Sequence, residues 1–513
     1  MTASPTSSPT GAGVPDAGAA TPPPGCPAHA GAVHLSGTEH RTDPMGLYER
    51  LREEYGSVAP VLVDGDLPAW LVLGYRENLE VVRTPNRFTR DSRHWGSFQR
   101  GEVAADSPLL PMIGWQPLAA FLDGDEHQRL RSAVTDSLGR LDRRGIRRHV
   151  TRYAEQLIAG FAADGEADLI EQFAEQLPML VMTQLLGMPE EHGPRLVEAT
   201  LDLVRGTETA YESNQFVVDT LQAQIPRKRE QPGSDITSWL MTHPAELSDE
   251  EVVQHLRLLL AAANENTTVC LSNTLRLVLT DHRFRASLAG ARMTLPDAVE
   301  QVLWDEPPSM VCPGRWATGD TELGGHSIKA GDMLLLGLAS GNVDPAVRPD
   351  LNVPMHGNRS HLAFSSGPHE CPGQDIGRAI TETAVDVLLA ALPGIHLAVE
   401  DKELEWVSSW HSRHLTALPV QFPARQPVAR AAEAEVPGAA AGAVAGAVAG
   451  AVAGSRPAAT PAASSAASRA AAPSATPAAP AASAAPAPAP DAAAPAAPKR
   501  PWWRRLPLLR SRG

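Results

Sequence analysis

Phe364-Ser365-Ser366-Gly367-Pro368-His369-Glu370-Cys371-Pro372-Gly373 is a loop braced by glycines and prolines around a single cysteine. Gly367 and Gly373 allow backbone angles or close approaches that a β-carbon forbids, and Pro368 and Pro372 stiffen the turn between them. Downstream, Ile376, Ile380, Ala384, Val387, Leu388 and Leu389 recur at helical spacing from Gln374 to Leu392. Cys371 is therefore expected just before a helix N-terminus, where free backbone N–H groups and the helix dipole favour thiolate.

A single shielded thiolate on a rigid loop suits a haem iron, because the sulfur pushes electron density through the metal and promotes O–O cleavage. Phe364, Gly367, His369, Cys371 and Gly373 form the pattern Phe-x-x-Gly-x-His-x-Cys-x-Gly, which resembles the haem-ligand loop of the cytochrome P-450 superfamily. The resemblance implies a mainly α fold with a small β-subdomain and haem b (iron protoporphyrin IX) ligated by Cys371. It also implies a monooxygenase, which inserts one oxygen atom from O2 into a small organic substrate with electrons from a ferredoxin and ferredoxin reductase. The bland alternative is an idle cysteine in a surface turn.

Composition limits how far this domain extends within the 513 residues. Residues 1–37 are rich in Pro, Gly, Ala, Ser and Thr, with few large apolar side chains, and read as a disordered arm. Residues 38–425 have ordinary globular character. Residues 426–498 form an Ala/Pro/Gly-rich linker, expected to be disordered, and residues 499–513 a basic, aromatic end. The uncharged run from Gly438 to Gly454 is mostly Ala and Gly, too weakly apolar for a membrane span. With no secretory signal and only Cys26, Cys270, Cys312 and Cys371, a cytoplasmic, reducing location is expected. Cys26 with His29 makes at most half a metal site. The net charge is −15, and residues 426–513 hold nine Lys/Arg against three Asp/Glu, which leaves −21 on residues 1–425. Such an acidic body excludes nucleic acid as a natural partner.

Upstream, Asp43 to Leu51 begins an amphipathic helix, and Ala59 to Val63 and Ala69 to Leu73 read as strands paired about Asp64-Gly65-Asp66. The stretch from Arg87 to Asp125 is loop-rich, and the resemblance makes it the cover of a substrate pocket. His127 and Arg131 stand four apart, on one face of a helix. By resemblance they bind a haem propionate, together with Arg315 and His369.

Ser248-Asp249-Glu250-Glu251 is a capping box that opens a helix running to about Thr280. Its apolar run gives way in the middle to Asn264-Glu265-Asn266-Thr267-Thr268, and polar groups at the centre of a core helix need a reason. The segment resembles the family's distal helix, where an acid followed by Thr relays protons. Glu265 matches the acid, Asn266 stands where Thr is usual, and Thr267 follows. The plain alternative is a polar patch hydrogen-bonded within the core. The family's Glu-x-x-Arg is replaced by Gln301 and Trp304, as in a small actinobacterial subgroup, so its polar triad is expected to have been exchanged as a unit. Gly341-Asn342-Val343-Asp344-Pro345 is similar to the family's Ala-Asn-Arg-Asp-Pro turn.

A rival function is a haem-binding sensor or scaffold component with little oxygenase activity, suggested by Asn266 and the Gln301/Trp304 exchange. No Gly-x-Gly-x-x-Gly stretch follows a strand, so electrons are expected from another protein. Lys499 to Gly513 combines six cations with Trp502, Trp503 and several leucines. It reads as a peripheral contact with the inner membrane face, a docking peptide for an acidic protein, or a solvated tail.

Overall fold

The computed structural model describes residues 29, 31–205, 208–280, 294–355 and 357–425. Cys26, the linker and the basic-aromatic end lie outside these residues. The larger sheet contains β1 (Val33–His34), β2 (Val58–Val63), β3 (Leu67–Val72), β4 (Phe88–Thr89), β5 (Val311–Ala317) and β6 (Met333–Gly337), ordered β1-β2-β3-β6-β5-β4. The expected β2–β3 hairpin turns through Gly65 and Asp66, both at positive φ, and pairs Val58 with Val72 and Val63 with Leu67. β1 corrects the expected arm boundary at residue 37. Val33 and His34 pair parallel with Val61 and Leu62, and Leu35 is fully buried. The open edge of β2 supplies hydrogen bonds that a composition averaged over 37 residues does not reveal.

The helices that position the site are α1 (Pro44–Tyr55), α2 (Gly124–Gly139), α3 (Arg143–Phe161), α4 (Asp249–Thr280), α5 (Leu295–Asp305) and α6 (Gln374–Ala391). The capping box ahead of α4 is present: Ser248 N donates to Glu251 Oε2 at 2.8 Å and Glu251 N to Ser248 Oγ at 3.2 Å. At 32 residues, α4 spans about 48 Å. Leu256, Leu260, Leu271 and Leu275 are buried on either side of its polar middle, each stabilising the fold by about 1.5–3 kcal/mol. α6 packs against α3 and α4, so the element that follows Cys371 is fixed by the helical core. Near the C-terminal end of the body, β7 (Trp406–Ser408) and β8 (Arg413–Leu415) form an antiparallel hairpin lying against α4.

α5 shows how the missing Glu-x-x-Arg is replaced. Gln301 Oε1 accepts from Met355 N at 2.9 Å, and Trp304 Nε1 donates to Asn358 O at 2.8 Å. Arg348 is buried, donates to Asp305 Oδ1 at 2.6 Å and stacks its guanidinium 6.0 Å from the Trp304 ring. Beside them Glu300 is held by Arg378 (2.6 Å) and His361 (2.9 Å), so a buried ion pair still joins α5 to α6. The exchange is thus partial: Gln301 and Trp304 bond backbone, while Arg348 and Glu300 keep charged links.

Candidate functional site

The cysteine loop is shaped by its own backbone. Gly367 has φ +72°, and a β-carbon there would stand 2.6 Å from Val82 O, so glycine is needed. Pro368 lies in the single turn Gly367–His369, after which Cys371 N donates to Phe364 O at 2.9 Å. A β-carbon on Gly373 would lie 4.0 Å from Cys371 Sγ. Phe364 packs with Cys270, Val299 and Leu303, and the Arg378 guanidinium sits 4.6 Å from its ring. The lowered thiol pKa expected from the helix terminus is overturned for the chain by itself. Burial pushes the Cys371 thiol up, against the Gly373 N–H and the Arg131 and Arg378 charges, which lower it. A half-buried thiol beside such donors is set up to bind a metal as thiolate, its proton leaving to solvent as the metal–sulfur bond forms.

The predicted propionate residues converge on one side of the loop. The rings of His127 and His369 are 4.2 Å apart, and His127 Nε2 is buried without a partner. Arg315 is 3 % exposed; burial, with Arg90 nearby, brings its pKa down to about 9, and its Nη1 donates to Gly314 O at 3.2 Å. Arg131 donates to Glu370 O. His369 Nε2 meets Asp123 Oδ1 at 2.9 Å, and burial lowers its pKa to about 3. Among the described residues, Asp123 is the one carboxylate that acts on all of Arg90, Arg315, His127 and His369. Buried cations in such excess, with an orphaned imidazole nitrogen among them, call for further anions. The two propionates of a haem would supply them, and the residues present fit that group.

The middle of α4 divides into two faces. Asn264 and Thr267 are buried, whereas Ala261, Ala262, Glu265 and Asn266 are exposed although both ends of the helix are packed. The middle of the helix is therefore open where its residues are small or polar, and this opening is the candidate cleft. Thr267 Oγ1 is 3.9 Å from where a β-carbon on Gly377 would stand, which sets the polar middle of α4 against the first turn of α6. Of the three predicted proton-handling residues, the structure brings Glu265 and Asn266 to the cleft and turns Thr267 toward α6. Asn266 Nδ2 donates to Ala262 O at 3.0 Å, and its Oδ1 accepts from Ser309 Oγ at 2.9 Å. Glu265 Oε1 faces His411 Nε2 at 3.7 Å; contact with His411, ahead of a smaller opposing effect of burial, holds its pKa below the usual range. Sequence reasoning missed His411 and Ser309. Neither sits in a motif, and only the fold of the β7–β8 hairpin reveals them.

No family model matches the chain. Among curated proteins it is 30 % identical over 402 residues to the polyketide biosynthesis cytochrome P-450 PksS of Bacillus subtilis, covering 76 % of this chain and 98 % of that one. It is 28 % identical over 404 residues to the 2-hydroxy-5-methyl-1-naphthoate 7-hydroxylase of Streptomyces carzinostaticus, covering 75 % and 98 %. Among solved structures it superposes on CYP154C4 from Streptomyces sp. W2061 with a TM-score of 0.68 at 26 % identity, covering 76 % of this chain and 97 % of that one.

Proposed function

The chain belongs to the cytochrome P-450 superfamily and is a monooxygenase, and from that premise we propose a substrate class, an electron source and roles for its residues. The observation that carries the reading is the Cys371 loop, whose shape depends on Gly367 and whose half-buried cysteine stands just ahead of the first turn of α6. The group that fits there is haem b: Cys371 would hold the iron through its sulfur, and His127, Arg131, Arg315 and His369 would hold the propionates. Haem with a thiolate ligand, when bound, supplies the activation of dioxygen.

The protein's own contribution is positioning, exclusion of water and proton supply. In the overall reaction a substrate C–H bond, O2, two electrons and two protons become C–OH and water. Glu265 is the acid at the cleft and Asn266 its hydrogen-bonding neighbour, clamped by Ala262 and Ser309. Thr267, turned toward α6, keeps a role in packing that face. The electrons come from a ferredoxin and its reductase. A polar hollow of about 200 Å³ beside the cysteine loop is lined by Arg83 and Arg359 with Glu370, and its two arginines suit an acidic donor.

The substrate is a small organic molecule, an aromatic acid or a product of polyketide biosynthesis, as the names of the two curated relatives suggest. A cytoplasmic location is part of this proposal; among the described residues no helix is long and apolar enough to cross a membrane, and Cys270, Cys312 and Cys371 are free. Purified protein supplied with ferredoxin, reductase, labelled dioxygen and a panel of aromatic and macrocyclic polyketides should yield a product carrying one labelled oxygen. Electron uptake with no labelled product from any panel member would favour the sensor reading instead.

A further inference from the structure

Glu265 lies in a cleft, and a carboxylate with a depressed pKa holds no proton at neutral pH. To deliver protons repeatedly it needs a donor behind it. The family's solution, an alcohol on the same helix, is absent at Asn266, and Thr267 is turned toward Gly377. The β7–β8 hairpin carries the groups that face the acid. At its tip, His411 Nε2 stands 3.7 Å from Glu265 Oε1, while His411 Nδ1 is 3.0 Å from Ser409 Oγ. Nδ1 is thus hydrogen-bonded to a hydroxyl while Nε2 faces the acid at ion-pair distance, which is the arrangement an imidazole needs to take a proton on one side and release it on the other.

The tip is held firmly. Met310 N and Val311 N donate to His411 O at 2.8 and 3.2 Å, Ser409 N donates to Ser412 O at 2.9 Å, and Ser409 Oγ lies 3.1 Å from Ser412 Oγ. Ser309 bridges to Ser412 and also donates to Asn266, so hairpin, strand β5 and α4 are tied through one polar cluster. The charged or titratable groups that face Glu265 are His411 and His414, both from the hairpin; His414 is held neutral by burial. Ser309, from the segment ahead of β5, is uncharged.

We propose that His411 recharges Glu265, replacing the missing helix hydroxyl as the source of protons for the cleft. Each transfer moves a proton from His411 Nε2 to the Glu265 carboxylate as the imidazole takes one at Nδ1 through the Ser409 hydroxyl, which water reprotonates. When Glu265 passes its proton into the cleft it is again a carboxylate, and exchange of the imidazole proton from Nδ1 back to Nε2 through solvent restores the starting tautomer of His411. No bond other than N–H and O–H changes, and no oxidant is consumed. His411 acts through Glu265, so it is a positioning and proton-supplying residue rather than one that touches substrate. The inference rests on the monooxygenase reading but is separable from it.

Two measurements on the full chain test it. In the haem-loaded protein with ferredoxin and its reductase, dioxygen uptake, peroxide release and the solvent isotope effect are followed against pH for wild type, His411→Gln and His411→Ala. His411→Gln keeps a side chain that can bond Glu265 but cannot pass a proton. Both variants should slow uptake on the order of tenfold, below the full effect of a positioned proton donor because water can substitute in part. Both should also divert electrons to peroxide and enlarge the isotope effect. Wild-type rates and pH profile in His411→Gln would overturn the relay and leave His411 a packing residue. The second measurement needs no turnover: the infrared carboxyl band of Glu265, assigned by its loss in Glu265→Gln, is titrated. His411→Ala should move the appearance of the protonated band to higher pH, and an unmoved band would overturn the pairing. If wild type itself takes up no dioxygen, the monooxygenase reading fails while this titration still decides the pair.

Discussion

Gly367, His40 and Cys371 show three ways in which a single residue is fixed by its surroundings. At Gly367 the constraint is steric: positive φ and Val82 O at 2.6 Å from a would-be β-carbon leave no room for a side chain. That constraint was legible in the sequence as a glycine among prolines. At His40 it is dielectric. The ring is fully buried against Tyr48 Oη at 2.7 Å, and burial lowers its pKa to about 4. The unfolded chain takes up a proton near pH 6.5 that the folded chain refuses, so stability is full above pH 6.5 and falls as pH drops toward 4. The loss attributable to His40 reaches up to about 3 kcal/mol. Thermal unfolding from pH 7.5 to 4.5 should show this decline, and His40→Asn should flatten it. At Cys371 burial raises the thiol pKa, which the sequence could not foretell, because position before a helix is a local signal and desolvation is a tertiary one.

Among the elements, α4 and α6 were readable and α5 only partly. Capping boxes and leucine spacing mark helix ends and core faces, because they express hydrogen bonding and burial within one element. The partners of α5 come from elsewhere in the chain: Arg348, Met355, Asn358 and His361 all follow it by dozens of residues. The same holds for Glu265, whose nature as an acid was legible while its neighbour His411 was not. Glu300 carries a specific expectation. Its side chain is 3 % exposed and held by Arg378 and His361. Arg378→Ala strands a buried carboxylate and should cost about 3–5 kcal/mol, whereas Glu300→Gln combined with Arg378→Met should cost far less. Urea titrations of the single and double variants measure the difference, and equal losses would show that the pair is not coupled.

For the molecule as a whole, composition separated a globular body from its extensions, apart from the β1 segment that docks on the sheet edge. The tail Lys499 to Gly513 lies outside the described residues; for its six cations and paired tryptophans we propose a contact with an anionic leaflet, each cation adding about 1 kcal/mol near the surface. Full-length protein should float with anionic liposomes at low salt and release at high salt, while equal flotation of a chain ending at Pro498 would assign the binding elsewhere. Everything said of function depends on the sulfur of Cys371. The most direct measurement is the absorption spectrum of the reduced, haem-loaded protein under carbon monoxide. Wild type should absorb at the thiolate-haem position and Cys371→His should move to that of a nitrogen-ligated haem; a thiolate band that survives in Cys371→His would contradict the account.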